Sequence, residues 1–483
     1  MSSHSIGTEK VPTRGIASTD RATAVVGFLV FIEFASGFVQ GYYTPLLPRI
    51  ADHFSVTAAD LNWFTSVQTL ASAVCVPLLA KLGDTYGHRR VLRIAIISVM
   101  ISVILLAFAP NFTVALIARV LIGPLAVWLP LEVALVHNRI HGETARRAIS
   151  YLVAMLTGGA IVGSLVAGPV SQTLPSMTFT LLVPLVAVAL SLFAVFIKVP
   201  ESDVRNTGKI DVMGFLGLGL ALLLLLWGLG RAPKDGIGSS STLVPVLLAL
   251  LVLAAWIVWE RRVENPAINL SVVASGTLGP LYVASFCFGF ITFGNLAPLT
   301  TFLSAKPETA GYGFALTATG LSLFVASTSA VATVGSLLSP LASARVGLRR
   351  VLVVSAILGA LFFVLQAVMH QSLWQTSLQI LLAYLAIGVF LGTMPALVAE
   401  LSPPSETAIS VGLYNTVRTI GGSVAGATVA VLLSSLLLSS GATSVRGYQA
   451  VWIASAIAFT LAAVAVGLAR AKPTEMTHPS RSH

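Results

Sequence analysis

Ala80-Lys-Leu-Gly-Asp-Thr-Tyr-Gly-His-Arg-Arg-Val-Leu92 has a counterpart far along the chain in Pro340-Leu-Ala-Ser-Ala-Arg-Val-Gly-Leu-Arg-Arg-Val-Leu352. Gly87, Arg89, Arg90, Val91 and Leu92 recur as Gly347, Arg349, Arg350, Val351 and Leu352, while Asp84 is matched only by Ala344. Each copy is a short basic connection between two long apolar runs. Agreement at the same topological place, between the second and third run of each half, marks an internal repeat of two structural units.

Working outward, apolar runs near twenty residues, each long enough to cross roughly 30 Å of hydrocarbon as a helix, centre near residues 34, 70, 100, 124, 159, 187, 220, 250, 290, 327, 360, 388, 422 and 460. That predicts fourteen spans. Of the 483 residues 56% are apolar and 10% charged, with a mean hydropathy of +0.91, whereas a soluble domain carries roughly 25% charge. A water-soluble enzyme is thereby excluded. The net charge of +10 is read as basic loops on one membrane face, not as a nucleic-acid-binding surface. Cys75 and Cys287 both sit in apolar runs, so neither a disulfide framework nor a Cys-based metal site is expected. Residues 1–22 lack the basic, apolar, small-residue order of a cleaved signal peptide, and the first helix is expected to stay in the mature chain.

An even number of spans places both termini on one side. The loops on that side hold twenty-one Lys and Arg against five on the other, so the positive-inside rule makes both termini cytoplasmic. Arg119 and Arg418 fall inside predicted spans. Polar loops at Lys198–Lys209 and Glu260–Pro266 bracket two spans. The expected organisation is a cytoplasmic tail (1–22), a six-helix bundle (23–198), an inserted helix pair with its linkers (199–266), a second six-helix bundle (267–470) and a cytoplasmic tail (471–483).

With that organisation the chain resembles the fourteen-helix drug:proton antiporters of the major facilitator superfamily, over nearly its whole length. Ala80–Arg89 is similar to the superfamily's loop signature Gly-x-Leu-x-Asp-Arg-x-Gly-Arg-Arg through Leu82, Asp84, Gly87 and Arg89, with Ala80, Thr85 and His88 as departures and Arg90 an added basic residue. Trp259-Glu-Arg-Arg-Val-Glu-Asn-Pro266 and Asn415-Thr-Val-Arg418-Thr-Ile-Gly-Gly-Ser-Val-Ala-Gly-Ala427 resemble two further patterns of that family. The resemblance implies an all-α membrane fold of two pseudo-symmetric six-helix bundles with two inserted helices. It also implies a conformational latch at Asp84, Gly87, Arg89 and Arg90; the alternative is that these arginines only set topology. Gly158-Gly-Ala-Ile-Val-Gly163-Ser-Leu-Val-Ala-Gly168-Pro169 is similar to the antiporter signature, with Gly159, Gly163, Gly168 and Pro169 implied to seal one end of a cavity. Plain helix packing is the alternative.

Chemistry inside the membrane is carried by few groups. Arg119, together with Gly123 and Pro130, resembles a second signature, and Glu33 lies near the middle of the first span. An intramembrane charge is functional by default because an unpartnered one is costly. Glu33 is expected to meet Arg119 across a central cavity: desolvation favours the neutral acid, the guanidinium favours the anion, and substrate arrival tips the balance. Glu132, thirteen residues beyond Arg119, is the rival acid; on an unbroken helix it stands roughly 140° round from Arg119, a position read as serving another face. Where many family members carry an Asp, Val39 stands, six residues from Glu33. Gln40, Trp128, Phe286 and Arg418 are candidate cavity residues.

No Gly-x-x-x-x-Gly-Lys-Ser/Thr loop for ATP and no His/Cys cluster with metal spacing occurs, so no cofactor, metal or catalytic residue is expected. The leading expectation is a proton-coupled exporter of hydrophobic or amphipathic small molecules, embedded in the inner or plasma membrane and working as a monomer. Its partners would be drug-like substrates, protons and the lipid bilayer. A dedicated exporter of one metabolite is the second reading. A sensor or channel on the same scaffold is the third; the tails and loops leave no length for a soluble sensing domain, and no repeated polar filter is present.

Overall fold

A segment in hydrocarbon must satisfy each backbone N–H and C=O internally, which an α-helix does. The computed structural model describes residues 16–137, 142–197, 199, 211–236, 238–264, 266, 270, 275–402, 407–435 and 443–469. The first half comprises α1 (Ile16–Tyr43), α2 (Leu47–Phe54), α3 (Ala58–Tyr86), α4 (His88–Ala107), α5 (Phe112–Leu121), α6 (Trp128–His137), α7 (Gly142–Thr173) and α8 (Met177–Ile197). Next come α9 (Val212–Asp235) and α10 (Ser240–Glu260). The second half comprises α11 (Gly279–Gly294), α12 (Leu296–Ser304), α13 (Pro307–Ala310), α14 (Ala318–Val346), α15 (Leu348–Val368), α16 (Leu373–Leu401), α17 (Thr407–Ser434) and α18 (Val445–Leu468).

Among the described residues, thirteen helical stretches are long and apolar enough to cross a membrane. The chain is a multi-pass membrane protein. The expected first span lies in α1, 28 residues long and not one of those thirteen, so fourteen stands one above the count. Helix starts obey capping chemistry. Thr57 and Asp60 form a reciprocal capping box at α3, and the side chains of Asn111 and Thr317 accept from Val114 N–H and Gly320 N–H at the starts of α5 and α14.

Two expected spans are interrupted. Around residue 124 a 3₁₀ turn at Gly123–Val127 separates α5 from α6; Pro124 supplies no N–H to the carbonyls one turn earlier, and neighbouring helices satisfy the interrupted backbone, Ser98 Oγ donating to the Leu121 carbonyl at 2.7 Å and Ser72 Oγ to the Gly123 carbonyl at 3.0 Å. Around residue 290 the helix breaks at Asn295, whose Nδ2 donates to the Ile291 carbonyl at 2.8 Å and to Ser455 Oγ at 2.9 Å.

Two apolar cores form. One gathers residues from Leu29 to Val199 together with Ala297, the other residues from Leu218 to Ala469. Within the halves α1 lies along α7, α4 along α8, α11 along α17, α14 along α16 and α15 along α18. The halves meet where α17 packs on α3 and α14 on α7, while α9 pairs with α10 and also touches α3 and α17.

Candidate functional site

A cavity of about 450 Å³ separates the halves, with walls from α1, α3, the α5–α6 break, α6 and α7 on one side and α17 on the other. Its lining extends from Gln40 and Ser72 to Ala80 and Gly412, towards the end that carries Arg89 and Arg349. The opposite end is closed by direct contact. Gly168 N–H donates to Ser322 Oγ at 2.7 Å, Ser423 Oγ donates to Thr69 Oγ1 at 3.3 Å, and Gly426 has no room for a Cβ beside Ser66. The cavity is therefore shut at the end away from the arginine-rich loops, and its lining runs towards those loops.

Glu33 lines the cavity, and its carboxyl lies within hydrogen-bonding reach of that of Glu132. Both side chains are buried, at 1% and 0% exposure. Glu33 Oε2 and both Glu132 oxygens receive no N–H or O–H from other side chains or backbone among the described residues. Two ionised carboxylates are acceptors only, so a bond between them requires a shared proton. The sequence expectation had placed Arg119, not Glu132, beside Glu33. The 3₁₀ turn explains the difference: five residues at 3.0 per turn advance Glu132 by about 100° more than an unbroken α-helix would.

Arg119 faces α3. Its Nε donates to the Phe64 carbonyl at 3.2 Å, its Nη2 donates to Gln68 Oε1, and its guanidinium lies 4.3 Å from the Phe64 ring centre and 5.5 Å from that of Tyr43. Gln68 was not singled out from the sequence, although an amide within the apolar stretch around Leu70 is a readable signal. Ser322 was missed too; it sits in a serine- and threonine-rich run that carries no distinguishing mark.

The glycines of α7 set the cavity wall. A Cβ on Gly159 would strike the Phe34 carbonyl and one on Gly163 the Phe38 carbonyl, so α1, and Glu33 with it, is held against α7 by missing side chains. Gly168 meets α14 in the same manner through the Ala318 carbonyl. Pro169 lies one residue further, inside α7.

At the arginine-rich end the repeated loops have one geometry. Gly87 and Gly347 each end one helix and begin the next at φ 110° and 86°, backbone angles costly for a residue bearing Cβ. Arg89 donates to the Val195 and Phe196 carbonyls, at 3.1 and 2.5 Å. Arg349 donates to those of Val466 and Gly467. Each arginine thus caps the last helix of its own half, where carbonyls lack intrahelical partners and the dipole favours a cation. Arg90 is exposed, and the Asp84 side chain lies outside the described residues.

Of the candidate cavity residues, Gln40 and Arg418 line the cavity. Trp128 does not; it is fully buried in the first core. Phe286 also stands off the lining, its carbonyl closing against Gly421. Among the described residues no group of three or more His, Cys, Asp or Glu could hold a metal ion.

The family model described as Major Facilitator Superfamily matches residues 29–426 and, in a second alignment, 289–483. The chain is 25% identical over 393 residues to the tetracenomycin C resistance and export protein of Streptomyces glaucescens, covering 80% of this chain and 71% of that one. It is 27% identical over 312 residues to the multidrug efflux pump LfrA of Mycolicibacterium smegmatis, covering 63% of this chain and 60% of LfrA. Among solved structures, a point variant of the nucleoside transporter NupG superposes with a TM-score of 0.67 at 15% identity, covering 92% of this chain and 99% of that one; at that identity the likeness bears on fold alone.

Proposed function

This chain belongs to the Major Facilitator Superfamily, and from that premise we propose that it is a proton-coupled efflux transporter exporting hydrophobic or amphipathic small molecules such as antibiotics, dyes or drugs. The observation that carries the reading is the Glu33–Glu132 pair at the cavity wall, because a carboxyl pair that needs one proton is a means of exchanging that proton for a substrate. The named activities of the tetracenomycin C exporter and LfrA support the export direction.

In this reading the arginine-rich end is cytoplasmic, both termini lie on that side of the inner or plasma membrane, and the monomer is the working unit. Substrate enters the cavity and makes the shared proton leave to the cytoplasm. The halves then rock so that the contacts Gly168–Ser322 and Ser423–Thr69 part, and a proton taken from outside restores the pair and releases the substrate. The proton gradient drives the cycle, with about 2.3 kcal/mol per charge per 100 mV from the membrane potential. Arg119 acts on this cycle through α3, as a regulator and not as the acid's ion-pair partner. Asp84 with Gly87, Arg89 and Arg90 forms the latch that favours one state.

The test is substrate-induced proton release by the purified full chain in detergent, read with a pH dye. Wild type is expected to release protons on adding an exported dye, and Glu33→Gln, which keeps shape but cannot titrate, is expected to release none while still binding. Proton release from Glu33→Gln at the wild-type level would overturn the assignment.

A further inference from the structure

The cavity has charge on both walls, and of opposite sign. Glu33 lies on α1 and Arg418 on α17, and these are its only two charged liners among the described residues. Arg418 carries no matching carboxylate. Its Nε is buried without a hydrogen-bond partner, none of the described residues forms an ion pair with it, and its guanidinium lies 5.8 and 5.9 Å from the ring centres of Tyr414 and Phe293. The Tyr414 hydroxyl lies beside it, a neutral group that leaves the cation uncompensated. An arginine at membrane depth without a counter-ion is costly unless it faces water or a ligand. Packing alone does not account for it, because the α11–α17 contact is made by backbone: a Cβ on Gly289 would strike the Arg418 carbonyl, whatever side chain residue 418 bears.

We propose that Arg418 is an anion subsite, so that the preferred substrates are amphipathic organic acids: apolar bodies carrying one carboxylate or comparably acidic oxygen. The planar guanidinium offers paired donors that match a carboxylate bidentately. Glu33 on the facing wall repels the same group, which fixes the acid's orientation towards α17 and keeps its charge away from the carboxyl pair that must lose its proton. Leu125, Leu129 and Leu156 supply the apolar surface between the two charges, and about 450 Å³ is within the range of small-molecule sites. One guanidinium selects for a single acidic group and against multiply charged phosphates. This inference rests on reading the cavity as the substrate site.

The test uses direct binding, independent of transport, to the full chain in lipid nanodiscs. The probes are anthracene-9-carboxylate and its neutral isostere anthracene-9-carboxamide, read by energy transfer from tryptophan. Wild type is expected to prefer the carboxylate. Arg418→Gln is expected to weaken carboxylate binding by about ten- to hundred-fold and carboxamide binding by no more than about two-fold, and Arg418→Lys to recover part of the preference because it restores charge without the fork. Equal losses for both probes in Arg418→Gln, or no carboxylate preference in wild type, whether from equal binding or from none, would overturn the subsite. An Arg418-dependent preference combined with no efflux of the acid from cells would leave the subsite standing and count against the export reading instead.

Discussion

In the first half Arg89 closes the end of α8, and in the second Arg349 closes the end of α18 through the corresponding pair of carbonyls. Gly87 and Gly347 turn the chain alike before each of them. At mid-membrane the likeness ends. The first half buries Glu33, Glu132 and Arg119; the second offers Arg418 to the cavity and otherwise buries neutral amides such as Asn295 and Gln366. The repeat retains the residues that shape a helix turn and diverges in those that handle charge. Fold is a requirement each bundle meets separately, whereas coupling needs the two walls to differ.

The largest expected effect tests that difference. Glu132→Gln should abolish proton-driven efflux as fully as Glu33→Gln, since either change leaves a single titratable carboxyl where a shared proton is needed. Arg418→Gln on the other wall should alter which compounds bind while substrate-induced proton release persists for a neutral substrate. Proton release measured side by side in the three variants decides it: retention in Glu132→Gln, or loss in Arg418→Gln, would break the division of labour between the halves.

Next in size is helix spacing, where the halves should behave alike. Gly163→Val drives a side chain into the Phe38 carbonyl, and Gly388→Val drives one into the Ala332 carbonyl, so each should cost about 1–3 kcal/mol or more. Gly158 has open space, and Gly158→Ala should be nearly silent. Thermal unfolding of the purified variants gives the ranking. A silent Gly163→Val would show that α1 and α7 need not touch, and with it would go the account of how Glu33 is positioned.

Much of this was legible in the sequence. Apolar runs gave the helices, and the repeated Gly-x-Arg-Arg located the two loops. The buried charges announced themselves because charge in hydrocarbon is costly. The partner of Glu33 was not legible. Whether Glu132 or Arg119 meets it depends on the rotation accumulated along the fourth span, and that rotation is set by the 3₁₀ turn at Gly123–Val127. A periodicity argument assumes one helical pitch throughout, so it sent Glu132 to the wrong face. Pro124 was in view, but how a helix responds to proline depends on its neighbours, here Ser72 on α3. The arginines of the loops were likewise read as topology or latch; their bonds to α8 and α18 join residues far apart in sequence.

Smaller still is the backbone strain at the two turns. Gly87→Ala and Gly347→Ala each force a Cβ into a positive-φ conformation and should lose about 1–2 kcal/mol apiece, measured as the shift in thermal midpoint. Near-equal losses are expected because the two angles are alike. A Gly87→Ala loss far above that of Gly347→Ala would mean that the first loop holds the two halves together as well as turning the chain, which would sharpen the comparison in favour of a latch with Asp84.

The smallest effect separates the cap from the latch most cleanly. Arg89→Gln and Arg349→Gln each remove a cation from a helix C-terminus, a contribution of about 0.3–2 kcal/mol. Arg89 is partly buried against its carbonyls, as is Arg349, so the two losses should fall in the same part of that range. Lysine restores charge but reaches the two carbonyls through a single ammonium, so Arg89→Lys and Arg349→Lys should recover most of the dipole term and little of the geometry. If capping is the whole role, stability falls and transport per folded molecule stays at the wild-type rate for both positions. If the first loop also acts as a latch, Arg89→Gln changes transport per folded molecule and Arg349→Gln does not, because Asp84 has no counterpart at Ala344. Efflux rates normalised to folded protein therefore distinguish a symmetric cap from an asymmetric latch, even though the stability change alone would look the same in both halves.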